Sequence, residues 1–405
     1  MSHLIPESQG RPGNDPIFAL SKLAEAHKRR DPSVLNATLG VLLDDAGKLA
    51  LLETASRAVR ELAPETVAAY APIAGAEPYL SSVKKDIFGD SPLAARAVAV
   101  ATPGGTGALR HAITSFVRPG QALLTTSFYW GPYATLADEH GRKVKTFQMF
   151  NAVGALDVEA LDRALGARIE EDGRALVLLN DPCHNPTGYS MSEADWAGVS
   201  DVLRLHAEKA PVSVVLDSAY AAFSEGSLAR PIRALESLSD RLLLAFCWSA
   251  SKTFLQYGQR VGALVVVPPK PADAPAIEAA LAYACRGTWS NCNAGGMAAI
   301  TRLLSDDASS LAVKAERRVM TKLLDGRVAA WNETAKSVGL AHPRYDGGFF
   351  VTVPTQDHDR KAEALRERGV YTVPLGAGAV RVALCSVATH DVERLARTVA
   401  EVVLR

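Results

Sequence analysis

The stretch VSVVLDSAY, residues 212–220, decides the class of fold. Residues 212–216 are apolar at every position but one, so they lack the alternation of a strand with one face in water. This pattern predicts a strand covered by helices on both faces, as in a parallel sheet. The strand leads into Asp217, and a carboxylate at the end of a buried strand needs a cationic partner. A buried Arg or Lys and the protonated ring nitrogen of a ligand are the two alternatives.

Six more β-branched or leucine-rich runs alternate with amphipathic segments in the same part of the chain. They occupy residues 97–101, 122–126, 143–147, 175–179, 242–246 and 263–267. The seven runs together predict an α/β fold with a mostly parallel seven-stranded sheet sandwiched by helices. Because such sheets bind ligands at the carboxyl ends of their strands, we expect the functional residues in the loops that follow them.

The pattern differs toward both ends of this 405-residue chain, which is long for a single hydrophobic core. Residues 1–15 are rich in Pro and Gly and predict an N-terminal arm. Short strands are predicted near residues 349–353 and 380–384, after a long charged helix at 309–338. We therefore expect a large domain at 49–305 and a smaller α+β domain made of residues 16–48 and 306–405.

Composition argues against several classes of protein. The 44 basic and 44 acidic residues cancel, which leaves no overall charge to attract nucleic acid or an anionic membrane. The first residues lack a basic segment followed by an apolar one, and no apolar stretch of about 18 residues occurs, so we expect a cytoplasmic protein. Five widely spaced cysteines without a CxxC pair predict reduced thiols and no metal site.

Two predicted strands are followed by loops with unusual residues. In TPGGTGALR, residues 102–110, Gly104, Gly105 and Thr106 precede a helix, and backbone amides at a helix start suit a phosphate. A tight connection is the alternative for this loop. In LLNDPCHNPTG, residues 178–188, Asn185 is held extended before a proline at the end of a strand. An ordinary Asx turn would leave the cluster of turn-forming residues around it unexplained.

A third loop, in FCWSASKTFLQYGQRVG at residues 246–262, contains Ser249, Ser251, Lys252 and Arg260. A partly buried lysine can act as a nucleophilic amine, and a lysine among small and hydroxyl-bearing residues after a buried strand is a candidate. A solvated loop lysine is the alternative.

The stretches HNPTG, DSAY and SASK, with an arginine eight residues after the lysine, resemble one family. It is the class I aminotransferases of pyridoxal 5′-phosphate (PLP) fold type I, and within it the aspartate and aromatic amino acid branch. The resemblance runs from about residue 30 to the C-terminal region. It implies that Lys252 bonds covalently to PLP and moves the substrate proton, that Asp217 keeps the ring nitrogen protonated, and that Tyr220 and Asn185 bind the phenolic oxygen.

The resemblance also implies further contacts to the cofactor. Trp130 would stack on the PLP ring. The phosphate would be held by backbone amides, hydroxyls and a guanidinium, from Gly104, Gly105, Thr106, Ser249, Ser251 and Arg260, and from Tyr70 and Ser290 of the partner subunit in a homodimer.

Substrate contacts are implied as well. Arg381 would bind the α-carboxylate, Gly40 would lie in the loop that closes over the substrate, and Arg286 would reach a distal carboxylate across the dimer interface. A surface arginine is the alternative for Arg286.

Three positions depart from the family pattern. Tyr133 replaces a histidine three residues after Trp130, Asn180 replaces a second histidine, and Thr38 stands where glycine is more common. These changes leave the cofactor residues intact but weaken the expectation of strict aspartate specificity.

The first functional hypothesis is therefore a homodimeric aminotransferase that passes an amino group from an L-amino acid, aspartate and/or aromatic, to a 2-oxo acid. Its acceptor would be 2-oxoglutarate, in a ping-pong cycle. A lyase or decarboxylase on the same fold is the second, because the cofactor residues are shared. A ligand-sensing module is the third, although regulators of that kind carry a basic DNA-binding segment and neither end of this chain contains one.

Overall fold

The computed structural model describes residues 3–13, 15–224 and 228–405. Internal contacts divide the chain into two compact units. The larger unit comprises the described residues of Ala50–Asp325 together with Pro343–Gly348. The smaller unit comprises the described residues up to Leu49, Gly326–His342 and Phe349–Arg405.

The secondary structure alternates between strands and helices through most of the larger unit. The strands of the described residues are β1 Leu35–Asn36, β2 Val98–Pro103, β3 Ala122–Thr126, β4 Lys143–Phe147, β5 Ala175–Asn180, β6 Val212–Asp217, β7 Leu243–Ser249, β8 Val261–Val267, β9 Phe350–Pro354, β10 Val370–Tyr371, β11 Val373–Leu375 and β12 Ala379–Ala383. The helices are α1 Pro16–Lys28, α2 Glu53–Arg60, α3 Pro64–Ala68, α4 Glu77–Phe88, α5 Leu93–Arg96, α6 Gly104–Phe116, α7 Pro132–Asp138, α8 Val158–Asp172, α9 Glu193–Ala207, α10 Ala229–Glu236, α11 Ala250–Thr253, α12 Ala274–Thr288, α13 Ala294–Ser305, α14 Asp307–Ser337, α15 His358–Glu367 and α16 Val392–Val403.

The central sheet of the larger unit has seven strands in the order β2-β8-β7-β6-β5-β3-β4. Strands β3 to β7 pair in parallel, and β8 runs antiparallel to both of its neighbours. The predicted mostly parallel seven-stranded sheet is therefore confirmed. Strands β5 and β6 are buried along their whole length, as continuous apolar runs require. The edge strand β4 exposes Lys143 and Lys145, and charged edge residues discourage pairing with another chain.

The register of the sheet aligns the polar residues that end its strands. Asn180 of β5 pairs with Asp217 of β6, and Asp217 pairs with Cys247 of β7. Ser249, at the end of β7, lies opposite Gly262 of β8. The loops that carry the sequence motifs therefore lie together at the carboxyl ends of the parallel strands.

Helix α6 covers the sheet through one apolar face. Leu109 and Ile113 of this helix are buried in a core cluster with Leu178, Val215 and Leu264 of three strands. Burying side chains of this size stabilises the fold by about 1.5–3 kcal/mol each. The packing fixes the N-terminal end of α6 near the ends of the strands.

The smaller unit contains a three-stranded antiparallel sheet, β11-β12-β9, and the parallel pair β1-β10. Its strands β9 and β12 correspond closely to the two short strands expected from the sequence. The division between the units falls between Asp325 and Gly326 within α14, whereas the expected boundary at residue 305 coincides with the end of α13. The helix α14 itself was predicted at nearly its observed length.

The described residues contain no helix that is both long and apolar enough to cross a membrane. In the same parts of the chain, His, Cys, Asp and Glu side chains form no group of three or more that could hold a metal ion.

Candidate active site

A pocket in the larger unit gathers most of the predicted site residues at the edge where the strands end. Its lining consists of Gly105, Thr106, Leu109, Trp130, Asn185, Asp217, Ala219, Tyr220, Ser249, Ser251, Lys252 and Arg260. These residues come from the start of α6, from the last residues of β6 and β7, from α11, and from the segments that follow β3, β5 and β6 and precede β8. Residues separated by more than a hundred positions in the sequence thus share one cavity.

Asp217 is the buried anion of this pocket. The side chain of this last residue of β6 accepts a hydrogen bond from Tyr133 Oη at 2.6 Å and one from the Ala219 amide at 3.2 Å. Burial raises the pKa of Asp217, while the two hydrogen bonds and the positive charge of Lys252 partly oppose that effect. A carboxylate desolvated to this degree is suited to bind a cation placed in the pocket.

Two asparagines fix the loop after β5. Asn180 donates from Nδ2 to the carbonyl oxygen of Asp217 at 2.7 Å and accepts from the Asn185 amide at 2.6 Å. Asn185 Nδ2 lies 3.4 Å from Tyr220 Oη. The buried Oδ1 of Asn185 has no hydrogen-bond partner among the described residues. An unpartnered buried amide oxygen beside a pocket is the expected mark of a polar ligand site.

Lys252 lies in the short helix α11, and Ser249 is the N-cap residue of this helix. The Ser249 hydroxyl accepts from the Ser251 amide at 3.3 Å. Lys252 is half-buried, and its Nζ lies 5.7 Å from the ring centroids of both Tyr220 and Tyr257. The amine is therefore held beside the pocket by aromatic rings rather than extended into solvent.

The start of α6 forms a cradle for an anion. Gly104 has a φ of +72°, and a Cβ there would lie 2.5 Å from a nitrogen of the Arg260 guanidinium. A Cβ on Gly262 would lie 2.5 Å from the Gly104 carbonyl carbon. Among the described residues, no side chain caps the first amides of α6. Uncapped amides at a helix N-terminus, next to a guanidinium, are suited to bind a phosphate.

The residues of this pocket fit PLP. Asp217 offers an anion for the ring nitrogen, Asn185 and Tyr220 offer polar groups for the phenolic oxygen, and the cradle at Gly104 offers a place for the phosphate. Trp130 lines the same cavity with an aromatic surface that a planar ring can contact.

The predicted residue Gly104 adjoins this lining without being part of it, and three further predicted residues of the larger unit lie apart from it. Tyr70, shortly after α3, is 92% exposed. Arg286 donates a hydrogen bond to the Ser290 hydroxyl near the end of α12. Tyr70, Arg286 and Ser290 are the three residues expected to contact the cofactor or substrate in the partner subunit's site.

The smaller unit contains the other two predicted residues. Arg381 of β12 is buried, donates to the Thr38 carbonyl oxygen at 2.6 Å, and lies with its guanidinium carbon 4.4 Å from the Phe350 ring centroid. A Cβ on Gly40 would lie 2.7 Å from the tip of the Phe350 ring, so glycine permits this close approach. Thr38 turns its hydroxyl to Asn36 Oδ1 at 2.6 Å.

Sequence reasoning missed two lining residues, Leu109 and Ala219. Ala219 contributes a backbone amide, which any residue at that position would offer. Leu109 lies one helical turn after Gly105, a spacing that places both residues on one side of α6. The contact of Tyr133 with Asp217 was also not predicted, although Tyr133 stood out as a departure from the family pattern.

Comparison with known proteins agrees with the fold. The family model for aminotransferase class I and II matches residues 32–399. The aromatic-amino-acid aminotransferase of Pseudomonas aeruginosa is 30% identical over 99% of both chains. The aspartate aminotransferase of Salmonella typhi is 30% identical over 89% of this chain and 92% of its own.

Solved structures give the same result. An aminotransferase from Anaerococcus prevotii superposes with a TM-score of 0.94 at 30% identity over the full length of both chains. The aromatic-amino-acid aminotransferase of Burkholderia pseudomallei, covalently bound to pyridoxal phosphate, superposes with a TM-score of 0.82 at 25% identity over 99% of this chain and 100% of its own.

The fold and the pocket thus define a PLP-dependent transferase of fold type I. The chain belongs to the aminotransferase class I and II family, in the aspartate and aromatic amino acid branch of class I. It is an aminotransferase, and its cofactor is pyridoxal 5′-phosphate.

Proposed function

We propose that this enzyme transfers the amino group of an L-amino acid, aspartate and/or aromatic, to 2-oxoglutarate in a ping-pong cycle. The single observation that carries the proposal is the pocket that unites Lys252, Asp217 and the anion cradle at the ends of parallel strands. Relatives named for aspartate and for aromatic amino acids support the choice of substrates.

The chemistry follows from the placement of each group. PLP, when bound, supplies an electron sink that makes the substrate Cα proton acidic. Lys252 would hold the cofactor through its Nζ, and the same amine, when free, would accept the proton that leaves the substrate Cα. Asp217 would keep a proton on the ring nitrogen through its negative charge. Asn185 and Tyr220 would bind the phenolic oxygen, and Trp130 would contact the ring.

The remaining contacts hold the phosphate and the substrate. The amides of Gly105 and Thr106, with Ser249, Ser251 and Arg260, bind the phosphate. Arg381 binds the α-carboxylate. Support for that role is its buried guanidinium, already oriented by the Thr38 carbonyl and the Phe350 ring. A pre-oriented guanidinium binds a carboxylate with little loss of side-chain entropy.

We further propose that the enzyme acts as a homodimer in the cytoplasm, with Tyr70, Arg286 and Ser290 acting on the partner's site. Tyr70 and Tyr283 are 92% and 83% exposed, and Val67 is 56% exposed. Aromatic side chains are enriched at interfaces between protein subunits relative to the rest of the surface. A sedimentation measurement of the holoenzyme that gives only monomer would contradict this part of the proposal.

The direct test of the proposed function is a panel of amino donors with 2-oxoglutarate as the acceptor. We expect transfer from aspartate, from tyrosine and phenylalanine, or from both groups, with glutamate as the product. If none of the donors loses its amino group, the proposal is wrong. Release of ammonia or pyruvate without an acceptor would instead indicate the lyase alternative.

Arg286→Ala is expected to separate the two kinds of substrate. A guanidinium that pairs with the distal carboxylate contributes about 1.5–3 kcal/mol, so kcat/KM for aspartate and glutamate should fall about 10- to 100-fold. The values for tyrosine and phenylalanine should change by less than about threefold, because those side chains offer no carboxylate for the pair. Single-turnover rates of the PLP-loaded enzyme with each of the four donors, without an acceptor, measure both effects.

Arg241→Ala is the matched control, because Arg241 is another partly exposed arginine of the larger unit and pairs only with Glu208 among the described ion pairs. It should leave all four kcat/KM values unchanged. Equal losses for dicarboxylic and aromatic donors in Arg286→Ala would show that Arg286 does not read the substrate side chain.

A further inference from the structure

Tyr133 and Asp217 form a short hydrogen bond directly behind the pocket. Tyr133 is fully buried, Asp217 is 5% exposed, and Tyr133 Oη lies 2.6 Å from Asp217 Oδ2. Tyr133 does not line the pocket itself. Its hydroxyl therefore contacts the lining through Asp217.

The position of Tyr133 is fixed by the same short segment that carries Trp130. The Tyr133 amide donates to the Trp130 carbonyl oxygen at 2.9 Å, in the turn that begins α7. The two rings meet edge to face with centroids 5.6 Å apart, and the Tyr129 ring stacks on the Tyr133 ring at 6.2 Å. A ring held on two sides by aromatic neighbours keeps its hydroxyl in one place.

The direction of the hydrogen bond is set by electrostatics. Burial and the neighbouring Asp217 raise the pKa of Tyr133 well above its usual range, so the phenol keeps its proton and donates. Cys247 and Tyr220 are the other titratable groups that act on Tyr133, and Lys252 is the charged group that acts on Asp217. A donated hydrogen bond from a neutral phenol favours the ionised form of a buried carboxylate.

We propose that Tyr133 is a positioning residue that holds Asp217 as an oriented carboxylate for the cofactor's ring nitrogen. Tyr133 stands where the family pattern has a histidine, so this contact is a feature of this chain. The inference rests on the proposed function in one respect, namely that Asp217 pairs with the ring nitrogen. It goes further because it assigns a role to a residue that does not reach the cofactor.

Tyr133→Phe removes the donor and keeps the aromatic ring. The Kd for PLP, measured by titrating the apoprotein and following the visible absorption of the bound cofactor, should rise about 10- to 100-fold, as for the loss of one hydrogen bond to a charged group. Tyr133→His offers an N–H donor again and should recover most of this loss. The visible spectrum of the bound cofactor should change in Tyr133→Phe, because Asp217 without this hydrogen bond is less ionised and presents less negative charge to the ring.

The chain contains a matched control in Tyr189→Phe. Tyr189 is fully buried and donates to Asp195 Oδ2 at the same 2.6 Å, but neither residue lines the pocket. Both Phe variants should lose a similar part of their thermal stability, whereas only Tyr133→Phe should lose affinity for PLP. A Tyr133→Phe protein that binds PLP like the wild type, or a Tyr189→Phe protein with an equal loss of PLP affinity, would overturn the inference.

Failure of the inference can be told from failure of the proposed function. Borohydride reduction of the wild-type holoenzyme tests the bond between PLP and Lys252 without reference to Tyr133. If that bond is found and Tyr133→Phe still binds PLP normally, only the role of Tyr133 is wrong.

Discussion

Lys252→Ala is expected to abolish covalent attachment of PLP and to reduce the transamination rate by at least about 10⁴-fold, the upper end of what one acid–base group contributes. The loss is large because one amine both bonds to the cofactor and moves the substrate proton. Absorption spectra should show PLP bound as the free aldehyde, and rates with the best donor of the panel measure the loss.

Lys270→Ala is the control for this variant, since Lys270 is an exposed lysine of the same unit that follows β8. It should keep the spectrum and rate of the wild type. Both variants should unfold within a few degrees of the wild-type apoprotein, because neither side chain is fully buried. A Lys252→Ala protein that retains covalent cofactor would refute the assignment.

Asp217→Asn is the second variant with a large expected effect. It should lower PLP affinity and activity without lowering the stability of the apoprotein. Removing one partner of a buried ion pair costs about 3–5 kcal/mol, so PLP affinity and kcat should together fall by roughly 10²- to 10⁴-fold. Titration of the apoprotein with PLP and single-turnover rates separate the two losses.

The apoprotein should respond in the other direction. Burial raises the pKa of Asp217 above the usual 3.8, so the folded state binds this proton more tightly than the unfolded state does. Ionisation of Asp217 therefore costs folding free energy, and that cost grows as the pH rises above 3.8. Asp217→Asn removes the charge, so the apoprotein should be at least as stable as the wild type at neutral pH, measured by thermal unfolding without PLP.

Asp86→Asn provides the control. Asp86 is also a carboxylate whose pKa is raised by burial, and it accepts a hydrogen bond from Trp248 Nε1 at 2.8 Å, but it does not line the pocket. This variant should bind PLP like the wild type. A loss of PLP affinity in Asp86→Asn as large as that in Asp217→Asn would mean that general destabilisation explains both.

The sheet could be predicted because most of its strands are buried on both faces. The runs at residues 122–126 and 143–147 were assigned with the observed bounds. The predicted ends of β6 and β7 came one and three residues too early. In the structure Asp217 pairs with Cys247 and Ser249 pairs with Gly262, so hydrogen bonding between strands continues past the last apolar residue.

Most pocket residues could be predicted, because they lie at or just after the ends of strands and within recognisable motifs. The hydrogen bond between Tyr133 and Asp217 could not, because the two residues are 84 positions apart and only the folded sheet brings them together. The roles proposed for Tyr70, Arg286 and Ser290 depend on a second copy of the chain. The pocket of a single chain therefore does not reveal them.

The most direct measurement is to reduce the PLP-saturated enzyme with borohydride, digest it, and locate the modified peptide by mass spectrometry. We predict a single phosphopyridoxyl group on the side chain of Lys252. A modification on another lysine, or a protein that carries none, would contradict the assignment of this pocket as the catalytic site.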